Sequence, residues 1–395
     1  MRKKIGILWV LLIAAFVFMS GGCGGGSSDF AGGSGTSDDP WQITTPVQLA
    51  NVKKDLDAHF VLTGDIDLAA ENWAPIGDFV PASDNPGDET PDMELAFTGV
   101  FDGGGRTISN VTIDNSAGAA IGLFGCVAGD GVVSNLTVKD ADVKGGALVA
   151  AVVGYGAGKA VENVHLVGDN RIEGGGLTEG TARGMVGGIV GGGFCDIIDC
   201  SAEAEIILDV SSEGVVGVLA GGMEDSDIIG CSAKGTVTVT GNNNFGIGGL
   251  VGSAQESDTV QNCTSDVVMK ITGNGNDLIG GLAGFAGKEG DSEYTLISEC
   301  EAKASITMTG SDNKRIGGIV GGGFYVNMYS TYFPKPCAIQ IKDCETSGSI
   351  AGGSYVGSII GYAYNNSTVT NCTSTAMSGP SNQIGSSDPN DLSNF

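Results

Sequence analysis

Ile247-Gly-Gly-Leu-Val-Gly252 and Ile279-Gly-Gly-Leu-Ala-Gly284 decide the fold, because near copies of them recur along the chain. Upstream stand Ile121-Gly-Leu-Phe-Gly125, Ala151-Val-Val-Gly154, Val186-Gly-Gly-Ile-Val-Gly191 and Val216-Gly-Val-Leu-Ala-Gly221. Downstream follow Ile316-Gly-Gly-Ile-Val-Gly321 and Val356-Gly-Ser-Ile-Ile-Gly361. A second element trails most of these cores. It is a β-branched residue, a two-residue corner and a small apolar residue, as in Val133-Ser-Asn-Leu136, Ile197-Ile-Asp-Cys200 and Val260-Gln-Asn-Cys263. A strand with alternating apolar residues usually comes next, such as Gly235-Thr-Val-Thr-Val-Thr240.

The period runs from about 25 to about 44 residues, the range of solenoids and propellers. A propeller blade needs four strands, and most repeats here have room for only two or three. The pattern therefore predicts an all-β fold, a right-handed parallel β-helix (solenoid) with a short N-terminal capping helix. Each coil stacks on the last at about 4.8 Å, so inward positions form columns of like residues. Gly, Asn and Asp at fixed offsets supply the left-handed backbone angles of the corners. Extra length falls at corners, most of all around Phe285–Thr295 and Phe324–Pro336.

The Gly-Gly-Leu/Ile-Val-Gly core with the later Asn/Asp-Cys resembles the GLUG-motif repeats of bacterial surface proteins. Related repeats occur in filamentous-haemagglutinin-like adhesins and beside the catalytic domain of some immunoglobulin A peptidases. The resemblance covers roughly residues 98–375 and implies a surface location without a peptidase domain. It implies no particular ligand, since fold and function separate readily. The stretch Phe60-Val-Leu-Thr-Gly-Asp-Ile-Asp-Leu68, with Pro75-Ile-Gly77 and Phe97–Gly105, is similar to the lead-in that precedes such repeats.

The N-terminus reads as an export signal. Arg2, Lys3 and Lys4 precede the uncharged run Ile5–Met19, too short for a membrane span of about 20 residues. Ser20-Gly21-Gly22-Cys23 resembles a bacterial lipoprotein signal, although Ser20 stands where Leu is usual. Cys23 is then the lipidation site and the membrane the first partner, the outer membrane being the expected address. The organisation expected is a signal at 1–22, a lipidated Cys and Gly/Ser tether at 23–39, and a cap with lead-in strands at 40–97. The β-helix follows at 98–375 and a polar tail at 376–395. Thr45-Pro46 looks like a helix start, with Val47, Leu49, Val52 and Leu56 sharing one face.

Composition narrows the function. The chain has 395 residues, 68 of them Gly, with 16% charged residues and a net charge of −27. Without a basic stripe to displace counterions from phosphate, nucleic acid is not a partner. Cys200, Cys231, Cys263, Cys300, Cys344 and Cys372 occupy one repeat position, held by Val111, Leu136 and Val164 in earlier coils. The site asks for a small buried apolar side chain, which Cys can be. A stacked thiol ladder is the leading reading, with disulfides and a metal site as alternatives. No C-x₂-C pair is present for metal, and no cofactor is expected.

Neither His59 nor His165 belongs to an H-E-x-x-H, and there is no G-x-S-x-G or P-loop. Asp65 and Asp67 share a strand face, and Asp84, Asp88, Glu89, Asp92 and Glu94 crowd one loop. The arginines beyond the signal, Arg106, Arg171, Arg183 and Arg315, lie in different coils. No catalytic residue is assigned. The function expected is a non-catalytic, adhesin-like surface lipoprotein. A polysaccharide lyase or hydrolase, which would show a cleft with paired acids and a base, and a structural envelope protein are the alternatives. Phe324, Tyr325, Tyr329, Tyr332 and Phe333 cluster in the longest insert. Protruding there, they could bind a host or matrix glycan or protein; folded back, they would cover a coil.

Overall fold

A computed structural model describes residues 29–69, 72–80, 90–174, 184–211, 213–256, 259–289, 293–325, 335–364, 366–375 and 382–387. The body is a parallel β-helix. One coil shows the plan. Ile228–Ile229 and Ser232–Val239 lie in the first sheet, Phe245–Gly248 in the second and Val251–Gln255 in the third. The coil below repeats it with Thr259–Gln261, Thr264–Ile271, Asp277–Gly280 and Ala283–Gly287. Strands pair in parallel with their counterparts one coil away; the exceptions are a register shift between Asp102 and Arg106 and the short strand Lys335–Pro336, which is antiparallel to Phe324–Tyr325. Ser232, Thr264, Glu301 and Glu345 are aligned along the first sheet, and Ile247, Ile279, Ile316 and Val356 along the second.

The register turns the sequence cores into a continuous interior. Ile279 and Ala283, both fully buried, face inward beside Ile247 and Val251 of the coil before. In the first sheet, a shift of one residue would bring the outward, polar set inside, so the alternation there fixes the pairing. Between the two segments of the first sheet, one residue per coil takes a left-handed conformation. Asn135, Asn163, Asp199, Asn262, Glu299, Asp343 and Asn371 do so at φ between 51° and 56°. Asn and Asp tolerate this because their side chains hydrogen-bond locally. Here they also link coils, Asn163 donating to Asn135 at 2.9 Å and Asn371 to Asp343 at 3.0 Å.

The N-terminal end is closed. Trp41–Ile43 forms the first rung against Phe60–Leu62. A five-residue helix, Pro46–Ala50, follows, capped by Thr45, whose hydroxyl accepts from the Gln48 N–H at 3.3 Å. Leu49 and Val52 are buried, but Val47 is 71% exposed and leaves the expected face. The helix ends after five residues and tightens into a 3₁₀ turn, Asn51–Lys54, so the α-helical spacing behind that expectation is not kept.

Two boundaries move. The expected tether, 23–39, does not extend to 39. Phe30 is buried, stacks on Trp41 at 4.9 Å between centroids, and Ala31 donates to the Gln42 carbonyl at 2.8 Å. The aromatic pair outweighs the flexibility of the surrounding Gly and Ser, so the cap includes residues 29–39. The tail contributes a strand as well. Ile384–Ser386 pairs with Ile360–Tyr362 and extends the third sheet. Residues 376–381 and 388–395, like Cys23 and the signal, lie outside the described residues.

Candidate functional sites

The cysteine corner is the most ordered chemical feature. Each left-handed residue places the next side chain inward, and in six successive coils that residue is Cys. The residue following each Cys donates its N–H to the carbonyl of the Cys one coil before, at 2.9 Å from Ser232 to Cys200 through Thr373 to Cys344. The six are therefore stacked in register. Five are buried, and Cys372, at the last coil, is half-buried. The five buried thiols share one pose, and Cys372 keeps only the local bond, to the Thr370 carbonyl. Cys231 donates to the carbonyl of Ile229 two residues back at 3.3 Å and to that of Ile197 in the coil before at 3.3 Å. Cys263 repeats this with Gln261 and Ile228, and Cys300 with Ser298 and Val260. All nine described cysteines are unbridged. Off the column, burial pushes Cys126 and Cys195 up to about 12 and Cys337 up to about 11.

A second column lies at the corner before the second sheet. Asn244, Asn276 and Asn313 are essentially buried. The Gly214 N–H donates to the Asn244 side-chain oxygen at 3.0 Å, Asn244 N–H to Asn276 at 2.9 Å, and Asn276 N–H to Asn313 at 2.8 Å. Sequence reading passed over this ladder. Its signal was present: each Asn stands three residues before the Ile of an Ile-Gly-Gly core.

Between the second and third sheets the chain reverses over the core glycines. A Cβ on Gly321 would lie 2.4 Å from the Ile279 nitrogen and 2.5 Å from the Gly284 carbonyl oxygen. Only hydrogen fits, which explains the final Gly of each core. The outward faces of the two sheets enclose a smaller second core containing Tyr155, Met185, Phe245, Phe285, Phe324 and Tyr362. Phe324 is fully buried, 5.5 Å from the Tyr362 ring, and Tyr325 is 8% exposed. These two aromatics fold back over the coil and do not protrude, since the third-sheet strand continues through them as Val320–Tyr325. Tyr329, Tyr332 and Phe333 lie outside the described residues. Arg315 enters this core with no exposed surface. It donates to Asp277 at 2.8 Å and faces the Phe324 ring at 5.3 Å.

The other candidates serve the scaffold. The Asp65 carboxylate accepts from the Thr107 N–H at 2.9 Å. The Asp67 carboxylate accepts from Asn110 at 2.7 Å, a bond that holds its pKa low. The Asp92 carboxylate accepts from Glu94 N–H at 3.0 Å, while Asp84, Asp88 and Glu89 fall outside the described residues. His165 bonds Ser201 at 2.8 Å and Asn163 at 3.0 Å. Arg171 joins Glu173, and Arg183 is not described. His59 lines an open groove of about 790 Å³ beside the cap, with Asp57, Met93, Asp130 and Lys159. Asp130 is paired with Lys159 at 2.7 Å, which keeps its carboxyl below the usual range and ionised. Among the described residues, no three potential ligands converge on one point as a metal ion would need.

The family comparison falls on the last coil. The GLUG motif matches residues 352–378, a span that contains the core Val356–Gly361 and the corner Val369–Cys372. The last coil thus carries a GLUG motif. The chain is 39% identical over 151 residues to halomucin from Haloquadratum walsbyi, covering 36% of this chain and 2% of halomucin. It is 36% identical over 149 residues to a provisionally named Gly-rich membrane protein from Evansella cellulosilytica, covering 35% of this chain and 16% of that protein. The chain thus spans only a small share of either relative. The fold is that of a candidate immunoglobulin A1 protease from Bacteroides ovatus, with a TM-score of 0.50 at 15% identity over 89% of this chain and 87% of the other.

Proposed function

We propose that the protein is a non-catalytic component of the cell envelope, lipid-anchored through Cys23, that displays a rigid β-helical rod in an adhesin-like role. The observation that carries this reading is the use of side chains. Cysteine and asparagine columns and, among the candidate acids, Asp65 and Asp67 are spent on joining one coil to the next. What varies from coil to coil is the outward loops. The eight strands of the second sheet set the rod at about 34 Å from first to last rung. A rod of fixed shape with variable loops holds a binding surface away from its attachment point at little entropic cost. The names of the two relatives, a mucin and a membrane protein, agree with a place in the envelope. The partner proposed is a host or matrix glycan or protein, with the insert at 326–334 as the first place to seek it.

Protease shaving of intact cells tests the proposal. Wild-type chain should be clipped from whole cells, and Cys23→Ser should appear free in the medium or periplasm. Wild-type chain protected until the envelope is broken would remove the outward-facing role and leave an inward structural one.

A further inference from the structure

We propose that the cysteine ladder binds soft, two-coordinate d¹⁰ metal ions, Cu(I) above all, each held in line between the thiols of two adjacent coils. In-register parallel stacking sets equivalent atoms about 4.8 Å apart. For Cβ atoms this exceeds the separation of about 3.8 Å that a disulfide needs, in agreement with the unbridged state of all six. For sulfur atoms sharing one pose it is close to the separation that two collinear metal–sulfur bonds span, taking the zinc–thiolate length of about 2.3 Å as a guide. The shared pose is observed, since Cys200, Cys231, Cys263, Cys300 and Cys344 each direct Sγ at a carbonyl of the coil before. Tetrahedral zinc has no place here, because a column brings two sulfurs, not four, to any point. Soft sulfur ligands select Cu(I) over hard cations.

The balance of the step suits an apolar core. Cu(I) arrives already reduced. At one cysteine the S–H bond breaks, the proton leaves to solvent, and an S–Cu bond forms. The neighbouring thiol keeps its proton and donates a sulfur lone pair. The unit RS–Cu–S(H)R is neutral, so no net charge is buried. Entry is from the C-terminal end, where Cys372 is half-buried and its coil stacks on that of Cys344. Because each neutral RS–Cu–S(H)R unit uses two thiols and shares neither, six thiols in one column hold three ions.

The test compares two double variants that remove the same number of thiols. Val stands at this position in the coils at Val111 and Val164, so Cys→Val is compatible with the fold. Cys200→Val/Cys231→Val leaves four contiguous thiols, enough for two ions. Cys231→Val/Cys300→Val leaves one adjacent pair, Cys344 and Cys372, enough for one. The full-length, reduced chain is titrated anaerobically with Cu(I) against a chromogenic chelator. The expected column capacities are three ions for wild type, two for the first variant and one for the second. X-ray absorption of the wild type should show two sulfur neighbours per copper. Equal capacity in the two variants would assign copper to thiols individually and overturn the proposal. So would three or more sulfur neighbours, or no Cu(I) retained by the wild type.

Discussion

The glycine reversal between the second and third sheets and the cysteine corner of the first sheet are both repeated once per coil, yet they tolerate change very differently. At the reversal, backbone meets backbone, and a Cβ on Gly221 would lie 2.2 Å from the Gly191 carbonyl oxygen. At the corner, the same inward position accepts Val111, Leu136, Val164 and then six cysteines, nearly all buried. The reversal is set by hard-sphere exclusion, the corner by volume and polarity alone. A repeat motif keeps its glycines for the first reason and drifts among small apolar residues for the second.

The comparison can be broken most forcibly at the polar contact the reversal encloses. Asp277→Ala leaves the fully buried Arg315 without its carboxylate, and the expected cost is about 3–5 kcal/mol. Equilibrium urea unfolding should show it, with the midpoint much lower than wild type. A smaller loss is expected in the asparagine column that leads into the reversal. Asn276→Ala strips the acceptor from the buried Asn244 N–H, at about 1–3 kcal/mol by the same measurement. The mildest effect is one of pH and concerns the buried thiols. Cys126 and Cys195 titrate near 12 in the folded chain against an ordinary 9.0. Their folded pKa is raised, so their stabilising contribution is complete below about 9 and is lost as pH rises toward about 12. Thermal unfolding followed across that window should fall, and fall less steeply in Cys195→Ala than in wild type.

Much of this was legible in the sequence, and the reason is periodicity. A core seen eight times fixes strand register, inward columns and the cysteine stack, because stacking converts a period in sequence into a line in space. What periodicity does not reach was misjudged. Phe30 occurs once, in a Gly/Ser stretch, and its burial depends on a single ring at Trp41. Val47 sits in a helix too short to keep an α-helical face. Phe324 and Tyr325 were placed in an insert, whereas the third-sheet strand runs on through them. The asparagine ladder was periodic but occupies three coils only, and in sequence it is hidden among corner Asn residues of ordinary kind.

The contrast between the two positions is tested most directly within a single coil, by urea unfolding of Gly321→Ala beside Cys300→Val. Gly321→Ala should lose about 1–3 kcal/mol or more, because no flexible side chain is available to yield to the added methyl. Cys300→Val should stay within about 1.5 kcal/mol of wild type, as a near volume-conserving change in an apolar site. Equal midpoints for the two variants, or a larger loss for Cys300→Val, would contradict the distinction between a reversal fixed by backbone exclusion and a corner fixed only by volume.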